Sequence, residues 1–345
     1  VNLIGEHTDY NDGFMLPTTI PYRTVVELAP RSDRRVRAWS ANIAAAAEPV
    51  EFRLGDEART QTWIDYPQGI TAALRETGHT IGGFDLRIES NVPVGGGLSS
   101  SAALLVSLLR GLRTLFSLTL DDLQLARVAH KAENDLVGAP VGIMDQLVSS
   151  LGRPGHALFI DARTLDVEHI PLPPALEVAV INSNVHHSHA GGEYRTRRAE
   201  CERAASLLGA PALRDVDPAA LTDGRIAALP SPLDRRARHV VSENARVLEV
   251  VAALRSGDLA RAGALVREGH ASLRDDFEVS VPEVDALAEL ANAQPAVYGA
   301  RLTGGGFGGS VVALTKAHHG REAADLVVRA YRERTGKEAT VLLPR

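Results

Sequence analysis

Between residues 84 and 112 the hydrophobic pattern changes period at a run of three glycines, and this switch limits the folds open to the chain. Residues 84–88 alternate as a strand does, and Asn91-Val-Pro-Val leads into Gly95-Gly-Gly-Leu-Ser-Ser-Ser101-Ala102. From Ser100 onward Ala103, Leu104, Leu105, Leu108, Leu109 and Leu112 recur at helical spacing, with serine available as N-cap. A strand that turns through glycine into a buried helix offers free backbone N–H groups and a positive dipole end, an arrangement that holds phosphate. A plain glycine turn capped by serine reads similarly, and three serines after three glycines favour the phosphate reading. No lysine follows at the GxxxxGK[ST] spacing, so the loop is not a Walker A loop.

The rest of the chain alternates strands and helices without parallel βαβ regularity, which predicts an α+β fold. Short strands are expected at 24–29 and 36–39 around a charged turn, and a helix over 64–74. A second amphipathic helix is expected over 121–136, stopped by Gly138 and Pro140, and a third over 143–151, closed by Gly152. Strands follow at 156–160 and 167–172. The proline-rich stretch 171–174 is the expected boundary between domains 1–172 and 173–345. Beyond it lie a strand at 177–181, a mostly helical stretch over 195–293, strands at 297–302 and 311–314 around a glycine-rich hairpin, and a helix to residue 335. A length of 345 residues suits two domains with a ligand between them.

A formal net charge of −6 and a pI near 6.1 argue against bulk electrostatic binding to nucleic acid or an anionic membrane and favour a small-molecule partner. Cys201 is the only cysteine, so no intramolecular disulfide can form and a cytoplasmic setting is expected. No apolar run approaches the roughly 20 residues that span a bilayer. The sequence opens at Val1 without methionine and runs straight into a polar loop, and is therefore expected to lack its true N-terminus.

Four further clusters carry chemistry. Glu133 has apolar neighbours on its helix, and a buried carboxylate needs a partner. Magnesium held by Glu133, a hydroxyl such as Ser101 and nucleotide phosphates would supply one, as would an ion pair with Lys131 or Arg127. Asp145 stands in the first turn of a short apolar helix, where the dipole favours the ionised form; it can cap that helix or accept a proton. Gly5-Glu-His-Thr-Asp-Tyr-Asn11 packs hydrogen-bonding side chains into one loop matched to vicinal sugar hydroxyls, although a solvated loop reads alike. His186, His187 and His189 read as loop residues rather than metal ligands. Gly304-Gly-Gly-Phe-Gly-Gly309 contains G-x-G-x-x-G, but a strand follows it, so it reads as a wide, mobile glycine turn between strands and not a dinucleotide site. Trp63 and Tyr66 are aromatics available to an adenine or to the core.

Taken together, three motifs in order resemble the GHMP kinases: Val1-Asn-Leu-Ile-Gly-Glu-His-Thr-Asp-Tyr-Asn11, which is similar to the galactokinase signature, Pro93-Val-Gly-Gly-Gly-Leu-Ser-Ser-Ser-Ala102, and Leu302-Thr-Gly-Gly-Gly-Phe-Gly-Gly309. The resemblance spans nearly the whole chain. It implies a two-domain fold: an N-terminal α+β domain with a left-handed βαβ unit, a ferredoxin-like C-terminal domain, and the site in the cleft between them. It also implies an enzyme that uses ATP and Mg2+ to phosphorylate the anomeric hydroxyl of galactose; a monomer is expected. By the same resemblance Glu6, His7, Thr8, Asp9, Gly142, Asp145 and Tyr194 would contact the sugar, with Asp145 the catalytic base. Gly95, Gly96, Gly97, Leu98, Ser99, Ser100 and Ser101 would wrap the ATP phosphates, Ser40 would lie near the nucleotide, and Ser101 and Glu133 would bind the metal. An arginine immediately before Val1 is implied as well. The rival readings are a kinase for N-acetylgalactosamine or arabinose, and a non-catalytic sugar- and ATP-binding regulator; the intact serine run ranks the regulator last.

Overall fold

The computed structural model describes residues 1–43, 48–93, 97–139, 141–186 and 190–344. Gly95, Gly96, Pro140, His187 and His189, with the side chain of His186, lie outside the described residues. In chain order the elements are β1 (Phe14–Met15), β2 (Thr24–Pro30), β3 (Arg35–Ser40), β4 (Val50–Arg53), α1 (Asp65–Glu76), β5 (Phe84–Ser90), α2 (Ser100–Leu115), α3 (Asp122–Ala132) and α4 (Met144–Leu151). There follow β6 (His156–Asp161), β7 (Val167–Pro171), β8 (Leu176–His186), α5 (Ala190–Leu207), α6 (Leu233–Ser256), α7 (Leu259–Asp275), α8 (Pro282–Asn292), β9 (Val297–Thr303), β10 (Gly308–Lys316), α9 (Gly320–Thr335) and β11 (Thr340–Leu343). Packing groups them into two compact units that interleave along the chain. An inserted unit comprises Ile20–Val94 and Leu98–Gly152, and a terminal unit comprises Val1–Thr19, Gly95–Gly97 and Arg153–Arg345.

The inserted unit is built on a mixed sheet in the order β2-β5-β3-β4, in which β5 runs antiparallel to β2 and parallel to β3. Strand alternation puts Val36, Ala38, Phe84, Leu86 and Ile88 on one face. The 3.6-residue period of α2 turns Leu105, Leu108, Leu109 and Leu112 against them, forming one core. Gly111 lets α2 approach β2 closely, since a Cβ there would lie 2.6 Å from Leu28 Cδ1. A reciprocal cap opens α3: Gln124 N–H donates to Asp121 Oδ1 and Asp121 N–H to Gln124 Oε1.

Two local expectations are corrected here. The helix expected to run unbroken to residue 136 is α-helical only to Ala132 and continues as a π-turn over Glu133–Val137, ended by Gly138 at φ 74°. A widened turn needs one more residue per hydrogen bond, which an apolar period does not reveal. The serine before α2 does not cap it through its side chain: Ser99 sits in the left-handed region at φ 58° with no capping hydrogen bond.

The terminal unit carries a small antiparallel sheet, β1-β6-β7, and an antiparallel sheet in the order β11-β8-β10-β9. Read along the chain the larger sheet is β8, helices, β9, β10, α9, β11, so its spatial order is last, first, third, second. This is the ferredoxin-like split βαβ arrangement. Together with the mixed α and β content of the inserted unit it gives the two-domain α+β fold expected of the GHMP kinases. Among the described residues no helix is long and apolar enough to cross a membrane.

Candidate active site

In the terminal unit the first seventeen residues fold back on themselves. Leu3 N–H donates to Leu16 O, Leu16 N–H donates to Ile4 O, and Asn2 bridges Pro17. The reversal is possible because residue 5 is glycine. Its φ is +95°, and a Cβ would lie 2.5 Å from Phe14 O. The Thr8 hydroxyl, fully buried, is shared between Gly5 O (3.0 Å) and Phe14 O (2.7 Å), and Asn11 Nδ2 donates to His7 O. Thr8 therefore holds the shape of the loop from inside.

Glu6 is 4% exposed, and its Oε1 accepts from Gly304 N–H at 2.8 Å in the glycine turn between β9 and β10. Burial raises its carboxyl to about 7 against the opposing charge of Arg301. His7 uses both ring nitrogens: Nε2 lies 3.1 Å from Gly305 O and Nδ1 2.8 Å from Tyr10 Oη. A carbonyl can only accept, so Nε2 carries the proton and Nδ1 accepts from the tyrosine. Burial, with the neighbouring His239, lowers His7 to about 3, so the ring is neutral. Tyr194 on α5 packs its ring 5.3 Å from His7 and 5.4 Å from Tyr10, against Gly305. Glu6, His7, Thr8 and Tyr194 thus belong to one cluster, with Asp9 in the adjoining 3-10 turn.

Behind the cluster stand residues that sequence reasoning missed. Glu243 on α6 accepts from Gly5 N–H (3.0 Å), Arg301 Nη1 (2.6 Å) and Arg246 Nε (2.8 Å). These arginines hold its carboxyl well below the usual range despite burial. His239, one turn earlier on α6, places Nε2 3.2 Å from Glu6 O and Nδ1 2.9 Å from Ser272 Oγ, and Phe14 N–H donates to Asn244. The only signal available was a charge inside an apolar pattern: Arg301 within a strand, and Glu243 four residues after His239 on a helix face.

In the inserted unit, α2 starts at Ser100, and its first-turn N–H groups have no intrahelical acceptor. Ser101 in that turn hydrogen-bonds Glu133, which opens the π-turn. Glu133 is 3% exposed and also accepts from Gln146 Nε2 at 2.7 Å. Burial raises its carboxyl above the ordinary value, and the charge of Asp145 pushes the same way. Asp145 lies half-buried in the first turn of α4, with Gly142 just before that helix. Ser101, Glu133 and Asp145 are therefore brought together, whereas Ser40 lies at the end of β3, its hydroxyl accepting a long bond from Asn42 N–H (3.4 Å). Tyr66 packs against the core with its hydroxyl pushed up by burial and by Glu133, and Trp63 packs there too.

The donor set suits a small hard cation. It offers oxygen ligands, two neighbouring carboxyls whose mutual repulsion a cation would relieve, and a buried Gln146 Oε1 with no partner among the described residues. No group of three or more His, Cys, Asp or Glu residues forms a self-sufficient metal cage among the described residues.

Comparisons with known proteins agree with this layout. Models for the GHMP kinases N-terminal domain and C-terminal domain match residues 65–153 and 250–336, and a galactokinase galactose-binding signature matches residues 1–30. A galactokinase of Streptomyces coelicolor is 50% identical over 324 residues, covering 92% of this chain and 83% of the relative. The crystal structure of Lactococcus lactis galactokinase complexed with galactose superposes with a TM-score of 0.94 at 33% identity, covering 99% of this chain and 89% of that one. Mevalonate kinase of Methanococcus jannaschii shares the fold at a TM-score of 0.66 and 15% identity, covering 99% and 94%. The chain belongs to the galactokinase family of the GHMP kinases.

Proposed function

We propose that the protein transfers the γ-phosphate of ATP to the 1-hydroxyl of galactose, yielding galactose 1-phosphate and ADP. One coincidence carries this reading: the galactose-binding signature falls on the loop whose Glu6 and His7 are buried and fixed by the glycine turn at 304–305. Glu6 and Asp9 accept from sugar hydroxyls, Tyr194 and Gly142 shape the sugar's surroundings, and the neutral His7 ring holds the acceptor geometry. Asp145 accepts the proton of the attacking hydroxyl; in phosphoryl transfer this positioning matters more than base strength. The first turn of α2 and the residues of the serine loop cradle the phosphates. Mg2+ held by Ser101 and Glu133 would neutralise phosphate charge.

Residues 1–172 and 173–345 are proposed as the two halves in sequence, since one GHMP model lies within each, although by packing residues 1–19 and 153–172 belong with the second half. A monomer in a reducing cytosol is proposed as well. The single thiol, Cys201, is buried and pushed up to about 12, which suits an inert structural residue. The product tests the reaction. Phosphorus NMR of a mixture of enzyme, ATP, magnesium and galactose should show phosphate on C1 with equimolar ADP; phosphate on C6, or no sugar phosphate, contradicts the proposal.

A further inference from the structure

The core of the terminal unit contains a run of charges that does not balance by itself. Arg246 and Arg301 both bond to Glu243, so two guanidinium groups share one carboxylate. Glu243 and Arg301 are fully buried and Arg246 is 11% exposed. Buried charges persist when paired, and removal of one partner strands the other. Arg301 uses Nε on Leu302 O and Nη1 on Glu243, while its buried Nη2 has no hydrogen-bond partner among the described residues. The remaining carboxyl that feels this charge is Glu6, on which Arg301 acts favourably and Glu243 unfavourably. Gly269 of α7 keeps room for the pair, since a Cβ there would lie 2.9 Å from Arg301 Nη1 and 3.2 Å from Glu243 Oε2.

We propose that Arg301 is a positioning residue of the sugar site: from the core it supplies the counter-charge that keeps the Glu6 carboxylate an acceptor for sugar hydroxyls, and Glu243 meters that charge. The inference rests on the assignment of Glu6 to the sugar. It gives Glu243 two tasks, since the same carboxylate holds Gly5 N–H and thereby the bend that presents Glu6. The charged or titratable groups around Glu6 are His7 on its own loop, His239, Glu243 and Arg246 on α6, and Arg301 on β9. His7 and His239 are lowered by burial to about 3 and about 4, and stay neutral across the working range. Glu6, at about 7, is the member that titrates there.

The sign follows from charge. Loss of the Arg301 cation moves Glu6 up, so its acceptor form appears only at higher pH; loss of the Glu243 anion moves it down. The test is the pH profile of kcat/KM for galactose, which reports ionisations of the free enzyme. It is measured for wild type, Arg301→Met, Arg301→Lys, Glu243→Gln and Glu6→Gln, with circular dichroism confirming the fold. Arg301→Met should move the acid limb upward and raise galactose KM at neutral pH by about fivefold, the effect at pH 7 of moving a group near 7 up by about one pH unit, with ATP KM nearly unchanged. Glu243→Gln should move the limb downward, and Arg301→Lys should restore it. A merely structural role would impair both variants without opposite displacements. If Arg301→Met does not fold, the downward displacement in Glu243→Gln still decides. Limbs coincident with wild type in whichever of Arg301→Met and Glu243→Gln fold overturn the role of Arg301. A Glu6→Gln enzyme with wild-type galactose KM overturns the sugar assignment itself, and this proposal with it.

Discussion

The N-terminal loop and the start of α2 both present backbone N–H groups and carboxyls to a ligand, yet they are finished to different degrees. In the loop almost every polar group already has a protein partner: Thr8 bonds two carbonyls, His7 uses both nitrogens, and Glu6 is held by the glycine turn. At the start of α2 Ser99 is in a left-handed conformation and makes no side-chain capping bond, two carboxyls repel, and Gln146 Oε1 has no partner among the described residues. The difference matches the ligands proposed. A neutral polyol is recognised by direction, so its acceptors must be fixed before it arrives. Phosphate and its cation bring their own charge and satisfy what the protein leaves open.

Substitutions can break this comparison, beginning at the unfinished end. Asp145→Ala should lower kcat about a hundredfold or more, the usual worth of a positioned proton acceptor, with galactose binding by calorimetry almost unchanged. Glu133→Gln should raise the magnesium concentration for half-maximal ADP release by about tenfold or more while galactose KM stays near wild type. An equal loss of sugar affinity would mean that the two ends are not separable.

At the finished end the expected effects fall on folding. Gly5→Ala must place a Cβ against Phe14 O at positive φ, and should cost about 1–3 kcal/mol in denaturant unfolding, together with a rise in galactose KM. Ser99→Gly relieves a left-handed serine that makes no capping bond, and should leave stability within about 0.5 kcal/mol of wild type. A large loss there would show that the serine side chain matters to the fold after all.

The sequence was most readable where period and punctuation agree. The leucine stripe of α2 and the alternation of β5 predicted both elements to within three residues, and a strand does follow the glycine turn at 304–309. The π-turn at Glu133 was hidden because a single extra residue leaves the apolar pattern intact. Glu243 and Arg301 were hidden for another reason. They are 58 residues apart, and only the fold joins them, so a lone charge in an apolar segment was the most that could be seen. Ser101, Glu133 and Asp145, singled out on separate elements, do cluster in the inserted unit.

The central claim is that the N-terminal loop is a sugar site set for galactose in a phosphoryl-transferring enzyme. Coupled ADP release with galactose, N-acetylgalactosamine, arabinose and glucose, against a sugar-free blank, tests it most directly. The account predicts the highest kcat/KM with galactose and a blank near zero. ADP release that is no faster with galactose than without sugar, or a higher kcat/KM for another of these sugars, would contradict it.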